Sequence, residues 1–140
     1  MNTPHDSAAA GPSRAAVWTG WVLSGLIGAV FLMSGVVKLL GGPELAEGMA
    51  HLGLPESMVL PLAIVELACV AVYLIPQTSI LGAVLLTGYL GGAICTHWRV
   101  GDMFVGPIVI GVLLWLGPFL RDPRLRALLP LRMSSRAVSL

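Results

Sequence analysis

Long apolar runs decide what this chain can fold into. The first run, residues 17–40, contains no polar side chains other than Thr19, Ser24, Ser34 and Lys38. A helix that crosses a membrane needs about 20 mainly apolar residues. A secretory signal has a shorter apolar core of about 7–15 residues and a small-residue cleavage site. This run is longer and ends in Lys-Leu-Leu-Gly-Gly-Pro, so it predicts a retained transmembrane helix.

Composition excludes a soluble domain. The chain is 56% hydrophobic and 11% charged, whereas an ordinary soluble domain has about 25% charged residues. A small domain has too much surface to bury so much apolar material, and the mean hydropathy is +0.89. The lipid bilayer is therefore the expected partner. The net charge of +1 gives no reason to expect nucleic acid.

Three more apolar runs follow, at residues 58–75, 79–98 and 104–120. The last is near the lower length limit for crossing a bilayer of about 30 Å. Short connections between the runs predict an all-α fold, an integral membrane bundle of four antiparallel transmembrane helices. Between the first two runs, residues 43–52 carry a short amphipathic stripe, which predicts a helix lying along the membrane surface.

The two ends of the chain differ from this transmembrane domain, residues 17–120. Residues 1–16 are rich in Ala, Ser, Pro and Gly, which predicts a disordered tail. Residues 121–140 form a basic tail, in which Asp122 and Pro123 suit the start of an interfacial helix. Cytoplasmic loops carry the excess of Lys and Arg. Both tails are therefore predicted to be cytoplasmic, because they hold every basic side chain except Lys38 and Arg99.

Small residues recur every four positions in two runs. They are Gly20, Ser24 and Gly28 in the first run, and Gly88 and Gly92 in the third. Such spacing allows helices to approach closely in lipid. We interpret both stripes as packing positions inside the bundle, and a homo-oligomer stays open.

Glu66 is the sharpest indication of function. It lies about 13 Å along its helix from Ser57, near the middle of the bilayer. An acid at that depth faces the bundle interior and has a partner or stays protonated. Cys69 and Tyr73 follow on the same helical face, and we predict that they contact a ligand. The alternative to a functional role for Glu66 is a purely structural pair or a protonated acid.

Lys38 lies near the outer end of the first run, one turn after Ser34. About 10 Å of depth separates it from Glu66, a gap that the two side chains can bridge directly or through water. In the alternative interpretation, the Lys38 ammonium bends toward the lipid headgroups. The sequence leaves the two alternatives open.

A polar segment ends the third run, from Thr96 to Asp102. Arg99 is placed to point inward at the outer mouth, or to form a local ion pair with Asp102. For His97 the alternatives are a redox or proton role and a contact with a lipid headgroup or the backbone. His51, His97 and Asp102 lack a recognisable metal-ligand spacing, so no metal is predicted.

The two cysteines lie at different depths in separate runs. Cys95 is near the outer boundary, and Cys69 is about 18 Å along the second span. This difference exceeds the roughly 7 Å limit between the Cα atoms of a disulfide, so no bridge is expected. No haem, flavin or cysteine-cluster motif is recognisable, and redox chemistry would need a bound quinone or a partner protein.

Four segments resemble the DoxX-like family of small four-helix bacterial membrane proteins. They are Phe31-Leu32-Met33-Ser34-Gly35-Val36-Val37-Lys38-Leu39, Ala63-Ile64-Val65-Glu66-Leu67-Ala68, Thr96-His97-Trp98-Arg99-Val100-Gly101-Asp102 and Pro118-Phe119-Leu120-Arg121-Asp122-Pro123. The resemblance covers about residues 17–124, and Trp98 departs from the aliphatic residue expected after the histidine.

The resemblance implies a bacterial inner-membrane protein. The family takes its name from a subunit of a thiosulfate:quinone oxidoreductase, and relatives are linked to membrane redox and oxidative-stress complexes, although most have no assigned reaction. The motif positions of the resemblance form a shared site near the outer mouth. They are Ser34, Lys38, Glu66, Thr96, His97, Arg99 and Asp102.

Three functions fit these observations. The first is an accessory or catalytic subunit of a quinone-linked redox system, in which Lys38, Glu66 and His97 bond quinone carbonyls or move protons. The second is a module that binds or transports a lipophilic small molecule. The third is a structural subunit of a larger membrane complex, where the polar groups specify helix pairing.

Overall fold

The computed structural model describes residues 13–128, and this part of the chain contains helices and turns but no strands. The all-α prediction is therefore confirmed for these residues. The helices are α1 (Arg14–Leu40), α2 (Pro43–His51), a 3-10 turn (Glu56–Met58), α3 (Val59–Leu74), α4 (Ser79–Arg99), α5 (Val105–Arg121) and α6 (Pro123–Leu128).

The predicted tails fall largely outside the described residues. Of the predicted disordered segment, residues 1–12 are not described, and residues 14–16 form the first turn of α1. Ser13 caps that turn by accepting a hydrogen bond from the Ala16 N–H at 3.2 Å, which explains why α1 begins before the apolar run. Of the predicted basic tail, residues 129–140 are not described. Asp122 caps α6 by accepting from the Arg124 N–H at 2.9 Å.

Two glycines separate α1 from α2. Gly41 and Gly42 have φ values of 68° and 131°, a backbone conformation that side chains disfavour. Pro43 then starts α2 at a position where its missing N–H costs nothing. The short helix predicted for residues 43–52 is confirmed.

Three helical segments are long and apolar enough to cross a membrane. They are Arg14–Leu40, Glu56–Leu74 and Ser79–Arg99, while α5 is apolar but shorter. Large apolar side chains point outward from all four helices, and several are more than half exposed. Examples are Trp18, Leu26, Met33, Ile64 and Val112. Such a surface requires lipid as its solvent.

The four long helices pack in a ring. Helix α1 contacts α3 and α5, and α4 contacts the same two helices from the other side. Along the bundle axis, the core lies in the half nearest the α3–α4 turn, where Tyr73, Leu86 and Leu114 are fully buried. Tyr73 donates a hydrogen bond to the carbonyl oxygen of Leu114 at 3.1 Å, which satisfies its hydroxyl inside the core.

The two small-residue stripes behave differently. Gly20, Ser24 and Gly28 are buried, and a Cβ atom on Gly20 would lie 2.7 Å from the carbonyl oxygen of Gly117 in α5. Packing by the first stripe is confirmed. The same prediction is wrong for Gly88 and Gly92, because no atom of a neighbour lies within 4 Å of a Cβ built on either residue. Spacing alone does not reveal whether a helix face has a neighbour.

We expect Gly20→Ala to destabilise the protein by about 1–3 kcal/mol, because the added methyl group meets backbone atoms of α5 and the helices must separate. Gly25→Ala is the matched control, since Gly25 lies in the same helix and a Cβ there meets nothing within 4 Å. The control should be neutral or slightly stabilising, because alanine is the better helix former. Thermal unfolding in detergent measures both variants, and equal midpoints would contradict the proposed contact.

Candidate functional site

A cavity of about 650 Å³ lies at the end of the ring opposite the core. Its walls come from α1, α3 and α4, with Ile110 of α5, and α2 covers it as a roof. Known small-molecule sites have volumes of about 300–1,000 Å³ and mostly apolar walls. This cavity is mainly apolar, and its polar side chains are Ser34, Lys38, Glu44, Glu66, Tyr89, Thr96 and His97.

An ion pair forms the polar floor of the cavity. Lys38 Nζ donates to Glu66 Oε2 at 2.8 Å and to Ser34 Oγ at 2.6 Å. Nζ also lies 3.5 Å from the carbonyl oxygen of Ser34. The predicted link between Lys38 and Glu66 is confirmed as a direct contact. The alternative, in which the ammonium bends toward the headgroups, is wrong for this structure.

The ion pair is almost entirely removed from solvent. The side chain of Glu66 is 2% exposed and that of Lys38 is 17% exposed. Two opposite charges at this depth compensate each other, whereas either charge alone carries a large desolvation cost. The pair therefore allows polar groups to remain in the bundle and to contact the cavity.

Cys69 and Tyr73 do not belong to this cavity. Both are buried in the hydrophobic core, and neither lines the cavity. Each turn of α3 lies about 5.4 Å deeper than the one before, so residues that share the face of Glu66 pass below the cavity floor. The prediction that these two side chains contact a ligand has no support in this geometry.

Tyr89 is a lining residue that the sequence analysis missed. It lies on α4 beside the cavity, its hydroxyl is near the Glu66 carboxyl, and its ring makes an edge contact with Phe31 at 6.4 Å between centroids. A tyrosine within an apolar run gives no clear signal of its own. Only its position one helical turn after Leu86 could have placed it near the interior.

The mouth of the cavity carries a second polar cluster. Asp102 lies between His51 and His97: its carboxylate oxygens are 3.0 and 3.1 Å from His51 Nε2, and His97 Nδ1 is 3.4 Å away. His97 also lines the cavity, as does Thr96, whose hydroxyl donates to the Gly92 carbonyl oxygen at 2.8 Å. The mouth cluster joins the end of α2 to the end of α4.

Arg99 has a different partner from the one considered. The local ion pair between Arg99 and Asp102 is wrong, because the guanidinium donates to the carbonyl oxygen of Leu52. Arg99 therefore holds the C-terminal end of the roof helix α2. It does not line the cavity. Within residues 13–128, no group of three or more His, Cys, Asp or Glu side chains is placed to hold a metal ion.

The cysteines are separate free thiols. Cys69 is buried and Cys95 is exposed. Cys69 packs among apolar side chains of the core, so it acts there as a small apolar residue.

We expect Glu66→Gln to lower the free energy of unfolding by about 2–3 kcal/mol, because it leaves the Lys38 ammonium without a countercharge. The double variant Lys38→Met with Glu66→Leu removes both charges and should recover most of that loss, since an apolar pair avoids desolvation. Thermal unfolding in detergent tests both. A Glu66→Gln variant as stable as the unaltered protein would show that the ion pair contributes nothing.

The stability of the mouth cluster should depend on pH. The hydrogen bond from His51, followed by the contact with His97, lowers the pKa of Asp102 below its ordinary value of 3.8. A carboxyl group whose pKa is lowered by folding stabilises the protein above its unfolded pKa, and this contribution is lost as pH falls through the folded pKa. We therefore expect Asp102→Asn to be less stable than the unaltered protein at pH 6, and the difference to shrink as pH falls below 3.8.

Glu56→Gln is the matched control, because it removes one exposed carboxylate from the same end of the molecule without touching the mouth cluster. Thermal unfolding midpoints between pH 3 and pH 6 provide the measurement. If the two substitutions give the same dependence on pH, the contacts of Asp102 with the histidines do not stabilise the fold.

Comparison with known proteins agrees with the resemblance noted in the sequence. No curated protein and no solved structure matches the chain significantly. The model of the DoxX-like family matches residues 22–117, which include α1 from its third turn, the roof helix, the cavity floor and the mouth cluster. Family membership and the apolar helices together show a membrane protein. The chain belongs to the DoxX-like family.

Proposed function

We propose that this DoxX-like chain is a bacterial inner-membrane protein whose four long helices cross the bilayer in antiparallel order. Both termini would then lie in the cytoplasm. The distribution of charge supports this orientation: Arg14, Arg121, Arg124 and Arg126 lie at the end of the ring with the termini. Among residues 13–128, Lys38 and Arg99 are the only Lys and Arg side chains at the opposite end, so the cavity mouth and roof face the periplasm.

We further propose that the cavity binds a quinone and that the protein serves a quinone-linked membrane redox system as an accessory or catalytic subunit. The observation that carries this proposal is the polar floor, an ion pair open to a largely apolar space of about 650 Å³. A quinone likewise combines a polar part, the two carbonyl oxygens on a small ring, with an apolar remainder. Hydrogen-bond donors at one end of an apolar cavity fix the orientation of such a ligand.

The floor residues have distinct roles in this proposal. The Lys38 ammonium donates hydrogen bonds and is held in place by Ser34 and Glu66. Glu66 and His97 are groups that hold or release a proton, as reduction of a quinone to a quinol requires. The electrons must come from a redox partner protein. Because His97 lies in both the cavity lining and the mouth cluster, it connects the floor with the aqueous side.

A carrier or binding module for a lipophilic small molecule is the second candidate. Cavity volume and apolar walls support it equally, since neither depends on electron transfer. Saturable transport into vesicles without electron transfer would select this function. A structural subunit of a larger complex is the third candidate. It would be indicated by a stable partner that co-purifies, together with indifference to substitution of Lys38 and Glu66.

Titration of purified protein with short-chain ubiquinone and menaquinone tests the proposal. We expect saturable binding by calorimetry, weakened about tenfold or more in Glu66→Gln, because the Lys38 ammonium loses the carboxylate that holds it toward the quinone carbonyl. A hydrogen bond from a charged donor is worth about 1.5–3 kcal/mol, and tenfold in affinity is about 1.4 kcal/mol. Glu56→Gln should bind as the unaltered protein does, since Glu56 is exposed and does not line the cavity. Absence of saturable binding would rule out the quinone proposal.

A further inference from the structure

We propose that the cavity has a lateral opening into the lipid, formed beside Gly88 and Gly92 of α4, through which the hydrocarbon chain of the bound ligand extends between the acyl chains. The inference rests on the proposed function for the nature of the ligand. The opening itself rests on the geometry alone.

The two glycines lie on the outer side of α4. The buried face of α4 consists of Ser79, Gly82, Ala83, Leu86 and Leu90. At 100° per residue, Gly88 lies on the side of the helix opposite this buried face, and Gly92 lies about 40° from Gly88 around the helix axis. Both glycines are exposed, and yet both line the cavity. A residue that lines a cavity and is also exposed on the outer surface marks a place where the cavity reaches that surface.

Two apolar lining residues on other helices are also partly exposed. Val30 of α1 lines the cavity and is 48% exposed. Ile110 of α5 also lines it and is half-buried. These lining residues carry no polar side-chain atom, and neither do Gly88 and Gly92, whereas the cavity mouth carries His97 and its charged neighbours.

The depth of the opening places it in the hydrocarbon region. Gly92 and Gly88 lie about 10 and 16 Å along α4 from Arg99, and Glu66 lies about 12 Å along its helix from Met58. The opening is therefore level with the polar floor, near the middle of a hydrocarbon layer of about 30 Å. A molecule that enters here comes from the acyl chains rather than from water.

The absence of side chains at positions 88 and 92 keeps this route open. A Cβ built on either glycine meets no neighbour within 4 Å, so neither glycine is needed for close helix contact. A leucine at either position would extend into the space beside α4. The geometry thus makes Gly88 and Gly92 determinants of ligand shape: a bulky side chain would exclude a ligand with a long chain and admit its head group.

The first test compares a ubiquinone bearing a ten-carbon chain with the same ring lacking a chain. The double variant Gly88→Leu with Gly92→Leu should bind the chain-bearing quinone about tenfold more weakly and bind the chain-free ring within about twofold of the unaltered protein, because the leucine side chains obstruct the path of the chain and leave the space for the ring. Gly91→Leu is the matched control: it lies in the same helix, has open space around it and does not line the cavity. Equal effects on both quinones would overturn the inference.

The second test does not depend on quinone binding. In a Cys95→Ser background, Ala93→Cys places a thiol in the cavity lining, and a maleimide that partitions into lipid vesicles should modify it faster than a charged maleimide of similar size. The two leucine substitutions together should slow the lipid-soluble reagent several-fold, and Gly91→Leu should leave it unchanged. An unchanged rate in the double variant overturns the inference.

The two tests separate the proposals. If no quinone binds but labelling from the lipid is blocked as expected, the quinone proposal fails and the lateral opening stands. If quinone binds but the leucines affect neither its chain nor the labelling, the opening fails and the quinone proposal stands. If the double variant instead converts a dimer to a monomer on size-exclusion chromatography, the glycine face is covered by a second copy and the opening is overturned.

Discussion

The contact between Lys38 and Glu66 is the interaction on which the candidate site depends. Neither charge is stable alone at this depth, and each makes the other tolerable. Ser34 holds the ammonium from the helix turn before it, so α1 supplies both the cation and its support, while α3 supplies the anion. The pair therefore links two helices and also leaves a polar surface at the bottom of an apolar cavity.

Around this pair, the two ends of the molecule differ in packing. Toward the α3–α4 turn, Gly20 and Gly117 allow α1 and α5 to approach closely. The buried Tyr73 donates a hydrogen bond to a carbonyl oxygen of α5. Toward the other end, the helices leave space, and α2 covers it with apolar side chains such as Leu45 and Met49. The closely packed end stabilises the bundle, so the fold tolerates an open cavity at the other end.

Much of the fold could be predicted from the sequence, because apolar run length is a direct physical requirement of the bilayer. The helices and the short amphipathic segment follow from it, and the depth of Glu66 below Lys38 follows from helical rise. The site was predicted less completely. Tyr73 shares a helical face with Glu66 but lies below the cavity floor. Arg99 donates a hydrogen bond to the carbonyl oxygen of Leu52, although Asp102 is nearer in sequence. Contacts between segments distant in sequence, such as His51 with Asp102, are set by tertiary packing, which periodicity does not describe.

The glycines around α2 have a mechanical consequence. Gly41 and Gly42 precede the roof helix and Gly53 follows it, all with positive φ. Helix α2 is therefore flanked at both ends by residues whose backbone has wide conformational freedom. Tilting this helix would leave its internal backbone hydrogen bonds intact, but it would expose the buried Met49 and break the contacts of its C-terminal end with Arg99 and Asp102. Water-side access to the cavity would then depend on these polar contacts and on the burial of Met49, and not on the tightly packed half of the protein.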